Sequence, residues 1–355
     1  MNLAVSTRWN ASRHQTGEEM VEEVLALGLN RMELGYDTRV DLLPGIEAML
    51  DAGTITVDSV HNYCPVPMGA PRGHPELWTF ADLDQRVHDL AVQHTLRTMQ
   101  FTSDIGAKIV VIHCGYVHQR KTSTRDLMEL IARNQFNSPR YEKQFMKFVK
   151  ERDKRGEKHL KQVRKALEYL LPQAETLNVE LGLENLPTLE AVPNEGEMEL
   201  LLQEFQHPKL KYWHDLGHGQ IRENLGFINH MRWLERLTPA LGGMHIHDVA
   251  GKLHDHVMPP DGELGLERFR PYSEMDMPLV IEPSPRATFE ELQSCVAWLN
   301  HWWRDAEEPP PREETPDTPP ASRAHPLCSP LQPSPYLERF HLAYPTRANR
   351  QINYR

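Results

Sequence analysis

Cysteine is scarce in this chain. Cys64, Cys114, Cys295 and Cys328 lie far apart and form no C-x-x-C pair, which argues against a disulfide framework or a thiolate zinc site. No apolar run approaches the ~20 residues of a membrane span. The opening stretch, MNLAVSTRWN, lacks the basic and apolar parts of a secretory signal. The expectation is a cytoplasmic protein with no membrane partner. Phosphate-cradling glycine motifs are missing as well. Neither G-x-G-x-x-G nor G-x-x-x-x-G-K-[ST] follows an early strand, so the usual reason to propose an open nucleotide-binding sheet is absent. Net positive charge is lacking too. A formal charge of −11 offers no broad basic face to a nucleic-acid duplex, where phosphate contacts dominate affinity.

What is present is an ordinary globular composition, 39% hydrophobic and 25% charged over 355 residues. That length holds one large barrel plus extensions. Eight short apolar runs fit strands: 3–7, 31–35, 55–61, 108–113, 179–184, 210–215, 242–247 and 278–282. Between most of them lies a stretch of helical periodicity, such as GEEMVEEVLALG, KHLKQVRKALEYLLPQAETL and TFEELQSCVAWLNHWW. Thr16 and Thr288 precede acidic first turns, and Gly28 and Gly106 follow helical runs, as start and stop signals do. Strands alternating with helices imply a parallel sheet, and eight such units most simply close into a (β/α)8 TIM barrel of the α/β class.

The organisation expected is a barrel over residues 1–304, with a basic helical insertion at 116–160 after the fourth strand. Residues 305–335 are too proline-rich for a core and read as a disordered linker; 336–355 form a C-terminal tail mixing aromatics with arginines. Charge is uneven. Residues 116–165 carry 15 Lys and Arg against 6 Asp and Glu. This basic segment is either a solvated helical face or an attractor for an anionic group.

The informative feature is the residue that ends each strand. The third and fourth strands end in His61 and His113, the fifth in Glu184, the sixth in Asp215 and the eighth in Glu282. The seventh ends MHIHD, offering His245, His247 and Asp248. A parallel barrel points all these ends at one mouth. Carboxylates buried together there would repel or take up protons unless a divalent cation sat among them. The donors are oxygen and imidazole nitrogen, which suits Mn, Co, Zn or Mg without choosing among them. One ion held by Glu184, Asp215, His245 and Glu282 would polarise the carbonyl of a hydroxy-ketone. One glutamate would then take the carbon-bound proton beside that carbonyl and the other return one from the opposite side, through an enediolate. Lys252 and Arg286 follow the seventh and eighth strands, where barrels often hold a phosphate, although solvated loop charges are the plainer reading of both.

These pieces, in order MELGY, VHNYCPVP, VVIHCG, LGLEN, WHDLGH, HIHD, GKLHDHVMPPDGEL and VIEPSP, resemble the xylose-isomerase-like barrels over about residues 1–304. That superfamily includes sugar isomerases and epimerases and the endonuclease IV type of abasic-site nuclease. The resemblance implies that Glu184, Asp215, His245 and Glu282 match the shared metal quartet, with Glu184 and Glu282 also the acid–base pair in the epimerase branch. Glu33 resembles a second-strand glutamate of the sugar branch and would suit a substrate hydroxyl; the plainer reading is an ion pair with a nearby arginine such as Arg31. In the nuclease branch, which holds three zinc ions, His61, His113, His218 and His256 match further ligands. The chain departs there: His254 stands where that branch has an Asp, so it is either a replacement ligand or none. In epimerases, histidines like His218 and His256 instead contact substrate oxygens.

The leading expectation is therefore a metal-dependent isomerase or epimerase of a small sugar-like substrate, with one ion. The alternative is a zinc phosphodiester hydrolase with two or three ions, acting on abasic DNA; nucleic acid is a partner only in that case. A barrel that binds without turnover is a third class. Relatives of this fold are often dimers or tetramers, so a homo-oligomer fits the resemblance.

Overall fold

A strand of three to six residues cannot hide its own backbone polar groups, so each must pair on both edges. In the computed structural model, which describes residues 2–304, this is met by closure. Strands β1 (Leu3–Ser6), β2 (Arg31–Leu34), β3 (Thr56–His61), β4 (Ile109–Ile112), β5 (Glu180–Glu184), β6 (Leu210–Asp215), β7 (Leu241–Ile246) and β10 (Leu279–Ile281) form a closed barrel of eight parallel strands. The last pairs back to the first, Leu3 opposite Leu279. The eight expected strands all occur, with ends shifted by a residue or so. Not anticipated was an antiparallel hairpin, β8 (Asp248–Ala250) and β9 (His254–Val257), directly after β7. The proline-rich segment 305–335 and the tail 336–355 lie outside the described residues.

The helices are α1 (Gly17–Ala26), α2 (Leu43–Asp51), α3 (Gln85–Asp104), α4 (Thr124–Ala132), α5 (Pro139–Leu177), α6 (Glu195–Phe205), α7 (Leu216–Asn224), α8 (His230–Leu237) and α9 (Phe289–Arg304). Their ends follow the signals read from sequence. Thr16 accepts the Glu19 N–H at the start of α1. Thr288 and Glu291 exchange reciprocal bonds at the start of α9. Gly28 and Gly106 take positive φ, 81° and 74°, where a side chain would be strained. No helix among the described residues is long and apolar enough to cross a membrane.

Two apolar clusters divide the interior. The larger lies between the sheet and the helices; the smaller, Ala4, Ile109, Val111, Trp213 and Val280, fills the barrel itself. Room for the Trp213 indole comes from Gly243 on the next strand, where a Cβ would stand 2.2 Å from the ring. Along β6 the alternation of a strand sends Trp213 and Asp215 inward and Tyr212 and His214 outward. The tryptophan thus floors the barrel beneath the polar layer: its ring meets His245 edge-on at 5.1 Å.

The basic segment is helical, as expected, but it has no boundary at residue 160. Helix α5 runs 39 residues without a break from the insertion into the barrel's own helical layer. The physical reason is an inward stripe that never loses its period: Tyr141, Phe148, Arg152, His159, Val163, Leu167, Leu170 and Ala174 are all buried. Ser138 caps its start ahead of Pro139, and Asn178, at φ 54°, ends it. Arg152 pins the helix to α6. Its two terminal nitrogens lie 2.6 Å from the two Glu197 oxygens, and one also donates to the Ala191 carbonyl at 2.7 Å. Removing one partner strands the other charge in a nearly water-free place. Arg152→Met should therefore cost about 3 kcal/mol or more, measured by urea denaturation.

Candidate active site

Strand alternation places one inward side chain at the C-terminal end of nearly every strand, and these meet on one level. Glu184, Asp215, His245 and Glu282 are buried, and their ligand-type atoms all lie within 4.8 Å of one another. They come from β5, β6 and β7 and from the residue following β10. His61, at the end of β3, and His113, just beyond β4, form a second such group with Glu184. Glu184 belongs to both, one oxygen to each. Its Oε1 lies 3.2 Å from His245 Nδ1, while its Oε2 lies 3.0 Å from His113 Nε2 and 3.3 Å from His61 Nε2.

Most of the histidines spend one ring nitrogen on a fixed acceptor and present the other to the cluster. His61 Nδ1 is 3.1 Å from the Asn62 carbonyl, and His218 Nδ1 is 2.9 Å from the Asn185 carbonyl. His113 Nδ1 meets Glu76 Oε1 at 3.1 Å, and His256 Nδ1 meets the Glu282 carbonyl at 3.1 Å. His245 turns Nε2 to Glu33, 3.1 Å away, and Nδ1 to the carboxylates. Such partners fix tautomer and ring orientation in metal-binding histidines. Asn185 clamps Asp215 from behind: its Oδ1 accepts the Asp215 N–H at 2.8 Å and its Nδ2 donates to the Asp215 carbonyl at 2.9 Å.

A third group, His218, His247 and His256, also gathers ligand-type atoms, but His247 has no nitrogen to spare. Its Nδ1 accepts the His256 backbone N–H at 2.9 Å, and its Nε2 donates to Asp215 Oδ2 at 2.9 Å. It braces Asp215 and ties the β8–β9 hairpin to the cluster. Nε2 of His218 remains, with Asp255 Oδ2 3.9 Å away, whereas His256 Nε2 lies 3.2 Å from an Arg8 guanidinium nitrogen.

Electrostatics says what these groups lack. Burial raises the pKa of Glu184, yet His113 and His245 hold it well below the usual carboxylate range. Glu282 behaves alike: burial is outweighed by His245 and Arg8, and its pKa falls to about 2. Asp215 is lowered by His218 and His247 against the same burial cost. In return, burial of His113 is outweighed by Glu184 and Glu76, which push it up to about 10. His245 is raised well above its ordinary value by Glu33, Glu282 and Glu184, against burial. Three ionised carboxylates thus gather protons onto neighbouring imidazoles when nothing else offsets their charge. A divalent cation does that better, and an oxygen–imidazole donor set at this spacing fits one.

Other expectations move. Glu33 is fully buried, held by the Ser6 and Ser59 hydroxyls at 2.9 and 2.8 Å, and stands behind His245. Its carboxylate is thereby committed to two hydroxyls and to the His245 ring. Arg31 pairs with Asp58 instead. His254 is exposed and belongs to none of the three groups. The alternation that would align it with His256 fails because His256 takes φ 54°. Lys252 is exposed too; its ammonium sits over the Phe136 ring at 4.7 Å, turned to the insertion. Sequence reasoning passed over His247 in favour of His245, and it missed three further residues: Glu76, from the long β3–α3 loop; Asn185; and Arg8. Arg8 follows β1 and lies 3.6 Å from Glu282 Oε1. Asn185, adjoining Glu184 in LEN, alone had a sequence cue. Cys64 and Cys114 are buried with thiols pushed up by burial, so neither suits a nucleophile.

The family model described as xylose isomerase-like TIM barrel matches residues 21–283, and the chain belongs to that family. No curated protein sequence matches it. Among solved structures it resembles a D-tagatose 3-epimerase-like protein (TM-score 0.60, 16% identity, 84% of this chain and 96% of that one). It also resembles a 3-keto-D-glucoside 4-epimerase from E. coli (0.59, 16%, 84% and 99%). A third is the IOLI protein with a bound zinc atom (0.58, 14%, 84% and 95%). At these identities the likeness is one of fold.

The packing around His247 is testable. A Cβ at Gly217 would stand 2.1 Å from the His247 ring, so Gly217→Ala must displace the residue that braces Asp215. A loss of about 1–3 kcal/mol is expected, read by thermal or urea melting.

Proposed function

We propose that this chain is a divalent-metal-dependent isomerase or epimerase of a sugar or related polyhydroxy-carbonyl compound. The observation that carries the reading is the convergence of two glutamates from well-separated strands, Glu184 and Glu282, on one buried quartet with Asp215 and His245. The ion would be held by these four residues; Mn, Co, Zn and Mg all suit the donors. When bound, it supplies Lewis acidity to adjacent substrate oxygens. The protein's own work is proton transfer. One glutamate takes the proton from the carbon beside the carbonyl, and the other delivers one from the opposite side. Neighbours that favour ionisation, His245 and Arg8 at Glu282 and His113 and His245 at Glu184, suit either carboxylate to accept that proton, and the one that delivers must enter the step already protonated. Burial keeps competing water away from the transferred proton. Two of the structural relatives are named as epimerases or epimerase-like, and a third carries zinc; these likenesses support the reading.

Glu282→Gln should keep the fold while losing solvent-deuterium exchange into ketose substrates by about 10²–10⁴-fold. Exchange at the parent rate in that variant would remove Glu282 from the acid–base pair.

One observation favours a second reading, a multinuclear zinc phosphodiester hydrolase of the endonuclease IV type. The His61–His113–Glu184 group adjoins the quartet and shares Glu184 with it, so the two sets could hold more than one ion between them. Elemental analysis separates the two. About one equivalent per chain, unchanged in His61→Ala, goes with the epimerase. Two or three equivalents of zinc, with one lost in His61→Ala and cleavage of abasic DNA by the parent, would replace it with the hydrolase.

A further inference from the structure

Outside the barrel mouth, the least explained feature is the outer face of α5. Lys143, Lys147, Lys150, Lys154, Lys158, Lys161 and Lys165 recur every three or four residues, and all seven are exposed. At 100° per residue they fall within an arc of about 80°, and at 1.5 Å per residue they span about 33 Å. Among the described residues none of them is in an ion pair. Lys147 reaches the Lys121 carbonyl and Lys165 the Gln85 side chain. Three of the four arginines of the same helix behave oppositely: Arg152 pairs with Glu197, Arg155 with Glu151, and Arg164 with Glu157 and Glu204. Glu157, at the edge of the arc, is thereby turned aside. Like charges at such spacing repel and weaken a helix, so the row is a line of positive potential, with Glu168 on the same face only beyond the last lysine.

The shape of that potential selects its partner. Residues 116–165 carry a net +9 within a chain of −11, so the remainder of the chain is strongly acidic in sum. A broad anionic surface, such as a bilayer or a duplex, would bring its charge against that acidic body. A thin chain lying along the helix would not. The stripe also offers no stacking platform. The exposed aromatic on α5, Tyr169, lies beyond the last lysine, whereas binding of single-stranded nucleic acid rests on aromatics that stack the bases. Lysine ammonium groups act as point charges and need no planar partner.

We infer that the outer face of α5 is a binding surface for a linear polyphosphate chain, recognised by charge alone. This stands apart from the reaction in the barrel. The test is fluorescence anisotropy of labelled long-chain polyphosphate with the full chain, repeated over a range of salt. Seven neutralising cations on a thin polyanion predict a slope of log K against log salt of about −5. Replacing Lys147, Lys150, Lys154 and Lys158 together by Gln should reduce that slope to about −2 and weaken binding more than tenfold, with the circular-dichroism melt unchanged. A second variant, Lys143→Gln with Lys161→Gln and Lys165→Gln, checks the remaining positions. Lys108→Gln with Lys209→Gln, off the stripe, should change nothing. Absence of saturable binding, or binding by the stripe variants as tight as the parent's, overturns the proposal. Tighter binding of single-stranded DNA, a sulfated glycan or anionic vesicles would overturn polyphosphate as the occupant.

Discussion

Three carboxylates buried within a few ångströms of one another make the most demanding arrangement in this molecule. Glu184, Asp215 and Glu282 lie almost out of water's reach, where mutual repulsion is poorly screened and each ionised group has lost its hydration. Much of the surrounding structure can be understood as meeting that cost. His245 stands among the three, Arg8 sits beside Glu282, and His113 lies against Glu184. Backbone takes part as well. Asp215 accepts the His218 N–H at the start of α7, where the helix dipole favours negative charge.

A consequence is that side chains around the cluster are committed in pairs. A histidine that holds an acceptor with one nitrogen can offer only the other, and its tautomer is then set by the neighbour rather than by solvent. His61, His113, His218 and His245 follow this rule, and Glu33, Glu76 and Asn185 supply acceptors. His247 breaks it by committing both nitrogens, which makes it a brace between Asp215 and the β8–β9 hairpin. Residues that look equivalent along the chain therefore do unlike work. Three glutamates close to the mouth illustrate it: Glu184 and Glu282 lie in the cluster, whereas Glu33 holds a histidine in place.

Charge is sorted on the scale of the whole molecule too. The buried acidic groups at the barrel mouth, Glu184, Asp215 and Glu282, have pairing partners built in. The basic residues of α5 divide largely by type: Arg152 and Arg164 tie the helix to α6 through Glu197 and Glu204, and the lysines face outward. The same helix is thereby a structural strut on one side and a charged rail on the other.

The order of strands, the closure into a barrel and the identity of the buried quartet were legible along the chain. They depend on local periodicity and on which residue ends a strand, and a parallel barrel sends all strand ends to one place. The run of α5 past residue 160 was also written in its apolar period, though the basic composition of its outer face obscured it. What the chain alone did not decide was the direction and company of each side chain. Glu76 reaches His113 across 37 residues of sequence and Arg8 reaches Glu282 from the far end of the chain, contacts that leave no periodic trace. His254 lost its place because a single left-handed residue, His256, broke the alternation of β9, and His247 took its partners from the neighbouring strand β6 and from a hairpin that the sequence had not announced. Spacing specifies which face a residue occupies; a hydrogen bond depends on distances of a few tenths of an ångström, and those are fixed only once the barrel has closed and its loops have packed.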